Sequence, residues 1–518
     1  MPEFSKSRRE LFFTGTALAA AGSLPSLSLA QSAPGGAGAS AGAGAGAGAN
    51  PATDSPLVRQ LYAGSWPSAQ ETRRVYDDFL LQRAVQAYML TLPALNVIGM
   101  RDGSEGAFGR GYNVLPIWKD RMGARTWVPT PNCDVVYSMS YLDLKETGPL
   151  VVYAPPNVIG MFTDFMQRTL TDVGAAGPDL GRGGLYLLLP PGHDGAVPGG
   201  YHVVRSRTYN VFLFFRTVLT EGANGPDTTK AVATAEMTRV YPLGSLERNR
   251  KAMNFPNASP VRVNMMYPTD FVYWDKLKRF VDYEPIDCLE PNVRGMLASL
   301  GIVKGQPFEP DGHRREILTR AVELAARMIL AFRIEAQGLP SLPYYEDRRY
   351  LNAWGGVDAD FNAPSYQSID QRAAYFQAAY SSAPAMVVDA VGLGSKYPIA
   401  IRDGDGDLLD GTRSYKLHLP PNVPALLYWA VTAYNPADGT MPETQQPFPS
   451  RNQFDKVQTN PDGSVDLYFG PSRPAAAPER NWIQTLRDRG FMVAVRLYGT
   501  SQAFYDQRWK PDDIVKLS

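Results

Sequence analysis

The densest run of polar side chains suited to chemistry is Pro131-Asn132-Cys133-Asp134-Val135-Val136-Tyr137-Ser138, at the edge of a β-rich stretch. In such a run a carboxylate can move a proton or ligate a metal, a phenol can donate a proton, and an amide can donate to a developing oxyanion. Asp134 is therefore the candidate general base or acid, Tyr137 the candidate acid or orienting hydroxyl, and Asn132 the candidate oxyanion donor. The same residue types also close turns, because Asn and Asp accept bonds from nearby backbone N–H groups and a Tyr can pin a strand end. Arg216 and Arg496 each stand at or inside an apolar run. They are candidates to hold an anionic or polar group, or to satisfy a carboxylate between domains. His418, between Leu417 and Leu419, is a second proton-transfer candidate, since an imidazole titrates near physiological pH. If the two leucines face a core, His418 faces the other way. Trp354, Trp429 and Trp482 are candidate stacking platforms for sugar faces or members of a core, and Asn481, beside Trp482, joins the substrate-binding candidates.

Absent patterns narrow the chemistry. The chain has no G-x-S-x-G elbow, no H-E-x-x-H and no C-x-x-C, and its four histidines, His193, His202, His313 and His418, lack metal-ligand spacing. No metal site and no cofactor are evident. Asp403-Gly404-Asp405-Gly406-Asp407 has the alternating carboxylates of a calcium loop, but Leu408 stands where the glycine belongs and Ser414 where the bidentate Glu belongs. A turn accounts for the same residues. Cys133 and Cys288 leave a single disulfide open, and their spacing does not decide it.

These side chains must be positioned by a chain of 518 residues, 44% hydrophobic and 20% charged, with 51 basic residues cancelling 51 acidic ones. That composition supports a large globular core and excludes the broad basic surface on which nucleic-acid binding draws. Ser7, Arg8 and Arg9 precede an apolar run from Leu11 to Leu24, and Ser28-Leu29-Ala30 follows, which predicts a twin-arginine export signal over 1–30 and a periplasmic or secreted protein. Once that signal is removed, no stable membrane span is expected. Residues 31–66, rich in Gly and Ala, read as a disordered linker.

Over 67–245 the chain reads as a β unit led by a helix, in which Val75, Phe79, Ala84, Val85 and Tyr88 recur at helical spacing and Pro93 bends or ends the run. Over 246–363 it reads as a helical connector, clearest from Arg314 to Gln337. Over 364–518 it reads as a second β unit. The expected fold class is α+β and β-rich: two β-sandwiches of jelly-roll character, a helical N-terminal segment and a helical connector.

The chain also resembles a known pairing of domains. Pro131-Asn132-x-Asp134-x-x-Tyr137-Ser138, Leu189-Pro190-Pro191-Gly192 and Arg205-Ser206-x-Thr208, followed by Arg216-Thr217, resemble the domain of unknown function 1254. Tyr415-x-Leu417-His418-Leu419-Pro420, Trp429-Ala430-Val431-Thr432-x-Tyr434, Asn481-Trp482 and Arg496-Leu497-Tyr498-Gly499 resemble its partner, the domain of unknown function 1214. The resemblance implies a bacterial, often exported protein built from jelly-roll-like domains. Val135 departs from the first signature, which commonly carries Thr there.

The expectation is an exported enzyme, a hydrolase, with a site in the cleft between the two β units and a small-molecule or glycan substrate. A non-catalytic envelope protein that binds carbohydrate or a protein partner is the alternative, and a redox metalloprotein is a third. Self-association is left open.

Overall fold

The computed structural model describes residues 66–335 and 342–517. The expected signal, 1–30, and all of the expected linker except Trp66 lie outside the described residues. Residues Ala69–Ser518 make up one structural unit.

A helix, α1 (Ala69–Phe108), leads into the first β region. Its apolar spacing predicts burial from Val75 onward, but Val75 and Phe79 are exposed and the buried stripe begins at Leu80. The helix also runs through Pro93 rather than ending there. A proline inside a helix removes one backbone bond and costs about 3 kcal/mol. Here tertiary contacts hold the segment: Pro93 O accepts from Gln167 Nε2 at 2.8 Å, and Asn96 Nδ2 donates to Phe376 O at 2.8 Å. Further along, Gly99 and Gly103 lie one turn apart. A methyl on Gly99 would sit 2.5 Å from Met266 O, and one on Gly103 would overlap Asn264 O, so this face admits the chain at 264–267 only because it lacks side chains.

Short β-branched and aromatic runs then form two four-stranded sheets. Their strands are β1 (Val135–Asp143), β2 (Leu150–Ala154), β3 (Ile159–Asp164), β4 (Thr169–Val173), β5 (Gly184–Leu189), β6 (His202–Arg205), β7 (Asn210–Val218) and β8 (Arg239–Pro242). One sheet has the order β1-β7-β3-β4, the other β8-β2-β5-β6. Leu142, Phe162, Leu213 and Phe215 from the first share a core with Leu150, Val152, Tyr186 and Leu188 from the second.

The connector supplies α2 (Val272–Tyr283), α3 (Pro291–Ser299) and α4 (Gly312–Glu335), and α5 (Ile369–Ala378) follows. All four pack on α1. Leu318, Ala321, Val322, Ala325 and Ile329 of α4 are buried, as their spacing predicts, whereas Met328 is exposed.

The second β region contributes β9 (Tyr350–Asn352), β10 (Pro398–Ala400), β11 (Tyr415–Leu419), β12 (Ala425–Tyr434), β13 (Ser450–Asn452), β14 (Val465–Gly470), β15 (Trp482–Gln484), β16 (Met492–Thr500) and β17 (Val515–Lys516). One sheet runs β9-β10-β16-β12-β13, with Ser395–Lys396 also paired to β16, and the other runs β15-β14-β11-β17. β9, inside the stretch read from sequence as connector, thus belongs to a sheet of this region. Leu417, Leu419, Trp429, Val431, Val495 and Leu497 fill the core here. The fold is α+β and β-rich, and among the described residues no sheet closes into a barrel.

The first sheet of each region is buried on both faces. Tyr137, Met139, Tyr141, Phe212 and Phe214 point away from their own partner sheet into a core that also holds Tyr428, Ala430, Tyr498 and the connector helices. Strands covered on both sides need apolar residues at nearly every position, which explains the unbroken runs in β7 and β16.

Candidate functional site

Strand parity brings the site together. On β1 and β7, Tyr137 lies directly opposite Arg216, on the face that looks toward the second β region. On β16, Arg496 and Tyr498 are two residues apart and so share a face, with Ala430 and Tyr428 of β12 opposite them. Between these faces is a small chamber of about 70 Å³, lined by Tyr137, Arg216, Trp354, Tyr375, Tyr380, Tyr397 and Arg496 among others.

Both arginines are almost fully enclosed, Arg216 at 4% and Arg496 at 6% exposure. Arg216 donates no hydrogen bond to any described residue; its guanidinium lies 5.1 Å from the Phe214 ring centre, and its Nε is buried without a partner. Arg496 donates through Nη2 to the Tyr434 hydroxyl and to Thr130 O at 3.3 Å, while its Nε is also unpartnered. Neither forms an ion pair among the described residues, and no carboxylate lines the chamber. Asp172 is near enough to feel Arg216, yet burial pushes its carboxyl up to about 6 against that attraction and a backbone bond from Ala385.

Two unpaired buried cations change the phenols around them. Burial alone would raise the Tyr498 phenol, but Arg496 and Arg216, with hydrogen bonds from Tyr397 and Tyr428, bring it down to about 8. Tyr498 stacks on Tyr428 with ring centres 4.2 Å apart, and its oxygen accepts from Asn132 Nδ2 at 2.8 Å. Tyr137 goes the other way: burial and the neighbouring Tyr498 push it up to about 12, so it stays protonated. A site with one ionisable phenol, one fixed phenol and two guanidiniums can hold an anion and move a proton beside it.

Tyr137, Arg216, Arg496 and Trp354, four of the residues singled out from sequence, line the chamber. Asn132 and its partner Tyr498 do not line it, but the Tyr498 hydroxyl lies 3.5 Å from that of Tyr397, which does. The remaining candidates lie elsewhere. Asp134 is fully buried but does not line the chamber. Its Oδ1 accepts from Arg121 Nη2 at 3.0 Å and Asn452 Nδ2 at 2.6 Å, and its Oδ2 from Ser450 Oγ at 2.8 Å. With both oxygens engaged, it ties the 131–134 loop to β13. His418 faces away from the core on β11 and pairs with Asp466 at 2.7 Å. Trp429 follows Tyr428 on β12, so the pleat turns it into the opposite core. Asn481 clamps Gln458 and Asp466 backbone through three 2.8 Å bonds. Trp354 is part of the chamber wall and bonds Ser382 Oγ at 2.9 Å.

Tyr498, Tyr397 and Tyr428 were not singled out. For Tyr498 the signal was there: it stands two residues after Arg496 in an extended apolar run, and so must share that arginine's face.

Cys133 and Cys288 are both buried free thiols. In the Asp403–Asp407 turn, Lys516 Nζ reaches Asp403 at 3.2 Å, Asp405 at 3.0 Å and Asp407 at 2.7 Å, so an ammonium stands where a bound cation would. Among the described residues no cluster of His, Cys, Asp or Glu is suited to a metal, and no helix is long and apolar enough to cross a membrane.

Two family models match the chain: protein of unknown function DUF1254 over residues 112–242, and protein of unknown function DUF1214 over residues 394–502. The chain carries both domains, in that order. Of the chamber wall, the DUF1254 match supplies Tyr137, Phe214 and Arg216, the DUF1214 match supplies Tyr397 and Arg496, and Trp354, Tyr375 and Tyr380 come from the chain between the two matched regions. A comparison with the curated proteins finds no match. Among solved structures, the VPA0106 protein from Vibrio parahaemolyticus is similar at a TM-score of 0.51 and 16% identity, over 85% of this chain and 100% of that one. The likeness is one of fold alone. An uncharacterised protein from Burkholderia cenocepacia aligns over 85% of this chain and 96% of its own at 14% identity, with a TM-score of 0.36, too low to establish a shared fold.

Proposed function

We propose that the protein is an exported hydrolase of ester or amide bonds whose reacting carbonyl enters the chamber between the two β units. Each unit is read as a jelly-roll-like sandwich, and export to the periplasm or medium rests on Arg8-Arg9 and the apolar run behind them. The observation that carries the reading is the pair of enclosed guanidiniums with no carboxylate partner, beside a phenol brought down to about 8. An isolated buried charge costs several kcal/mol, so a site that retains two is built for an anion that arrives with the substrate or forms from it.

In its phenolate form Tyr498 takes a proton from a water molecule while the water oxygen bonds to the carbonyl carbon. The carbonyl π electrons move onto oxygen, where Arg216 and Arg496 face the new negative charge. On collapse, the bond to the leaving oxygen or nitrogen breaks and Tyr498 returns its proton to that atom, so one group serves as base and then acid. The acid product ionises and stays complementary to the arginine pair. Asn132 holds the Tyr498 oxygen in place and is a positioning residue.

A screen of esters, amides and glycosides tests this, with wild type beside Tyr498→Phe and Arg496→Met. Turnover of an ester or amide should fall roughly a hundred- to thousandfold in each variant. No turnover by wild type, or turnover indifferent to Tyr498→Phe, defeats the proposal. A second reading, a carboxylate-binding protein without turnover, is favoured by the small size of the chamber. It requires carboxylates to bind wild type and Tyr498→Phe alike.

A further inference from the structure

The chamber, at about 70 Å³, has room for a carbonyl or carboxylate group and little else. The rest of any substrate must lie outside it. Thr130, Ala353, Tyr375 and Ile399 line this chamber and also a second cavity of about 320 Å³, so the two spaces adjoin. The second cavity has a different character: Leu330, Phe332, Leu351, Ile401, Leu409 and Phe491 contribute to its wall. Arg333 lines it too, but its Nη2 is held by Gln377 Oε1 at 3.0 Å, Pro436 O at 2.7 Å and Ala437 O at 3.1 Å. Of the two adjoining spaces, one is thus cationic and the other largely hydrocarbon.

We infer that the substrate is an acyl compound with an aliphatic chain, its carbonyl between Arg216 and Arg496 and its chain in the adjoining apolar cavity. The inference rests on the proposed role of the arginine pair. Apolar walls reward each methylene withdrawn from water, while a carboxylate or oxyanion head answers the two guanidiniums at the other end. A polar or strongly branched acyl group would leave the hydrocarbon wall unmatched. The acid product has the same shape as the acyl half of the substrate and should bind at the same place.

Calorimetric titration of the full chain with straight-chain carboxylates from acetate to decanoate, and with the matching primary alcohols, tests it. The dissociation constant should fall roughly fourfold per added methylene until the cavity is full, and the alcohols should bind far more weakly. Leu351→Trp, which fills the cavity, should erase the chain-length dependence and leave acetate binding in place; Leu330→Trp, from α4, is the second variant should the first not fold. Equal binding of acetate and decanoate, or a length dependence that survives both variants, overturns the inference. If acetate binding is then lost in Arg496→Met, the arginine-pair reading stands without it. If no carboxylate binds wild type at all, the arginine pair is not an anion seat and both fall together.

Discussion

Asn132 and Tyr498, 366 residues apart, share a 2.8 Å hydrogen bond in which the amide donates to the phenol oxygen. The same amide nitrogen donates to Tyr428 at 3.1 Å, and the amide oxygen accepts from the Asp134 backbone N–H at 2.8 Å. One side chain thus closes its own loop and also fixes an oxygen on the opposite sheet. Loop closure by Asn132 is foreseeable from residue type; its bond to Tyr498 is not, and exists only in the folded chain.

Tyr498 should give activity a rising limb near pH 8, since its phenolate is the working form and Arg496 and Arg216 hold it there against burial. Stability carries the same signature. A phenol held below its unfolded value near 10 stabilises the fold fully above that value, and the contribution is lost as the pH falls through about 8. The window is therefore pH 8–10, and the gain across it is about 3 kcal/mol, from 1.36 kcal/mol per pKa unit. Denaturant unfolding of wild type and Tyr498→Phe at several pH values checks this: the difference between them should slope in that window and be flat below it. Spectrophotometric titration of tyrosinate should lose one early-titrating phenol in the variant.

Below pH 8, where Tyr498 is protonated, replacing Arg216 with Met should stabilise the empty protein while destroying its anion affinity. The guanidinium makes no hydrogen bond to a described residue and is enclosed without a counter-ion, so an apolar side chain of similar length removes a desolvation cost. A gain of about 1–3 kcal/mol is expected, read as a raised denaturant midpoint with an unchanged slope. A loss of stability in Arg216→Met would mean that the charge is compensated within the fold.

Asp134→Asn should behave as a folding variant. It leaves Arg121 facing a neutral amide in a buried network with Asn452 and Ser450, and breaking such a pair costs about 3 kcal/mol. Carboxylate affinity of the folded fraction should be unchanged, which titration at low temperature will show. A variant of wild-type stability with no turnover would return Asp134 to the chemistry.

Gly103→Ala should destabilise although alanine is the better helix former. The propensity gain is about 1 kcal/mol, but the added methyl overlaps Asn264 O, a backbone atom that cannot swing aside. A net cost of about 2 kcal/mol is expected by urea unfolding, whereas Gly106→Ala, with open space around it, should be neutral or stabilising.

Much of this could be read from residue types in order. The β-rich texture on both sides of a helical middle is visible in the runs at 150–153, 185–189, 211–215 and 492–497, and the stripe of α4 in its apolar spacing. What spacing does not carry is which residue answers which across hundreds of positions. Asp134 looks chemical in isolation because its counter-ion, Arg121, lies in another loop. Trp429 looks like a platform because nothing local says which face of β12 is covered. Pro93 looks like a helix end because the groups that hold its helix together, Gln167 and Phe376, are far along the chain. Arg216 and Arg496 were legible as charges in apolar surroundings. That no carboxylate meets them is a fact of three dimensions.

The sheet formed by β1, β7, β3 and β4 has apolar side chains on both its surfaces, and only one of them is covered by residues of the same matched region. Cut at the boundary of that region, the piece would present Tyr137, Met139, Tyr141, Phe212 and Phe214 to water as an adhesive plate. The shield over that plate is composite, made of α1, the connector helices and Tyr428 and Tyr498 of the second β region, so the boundary of the matched region is not a boundary of the hydrophobic core.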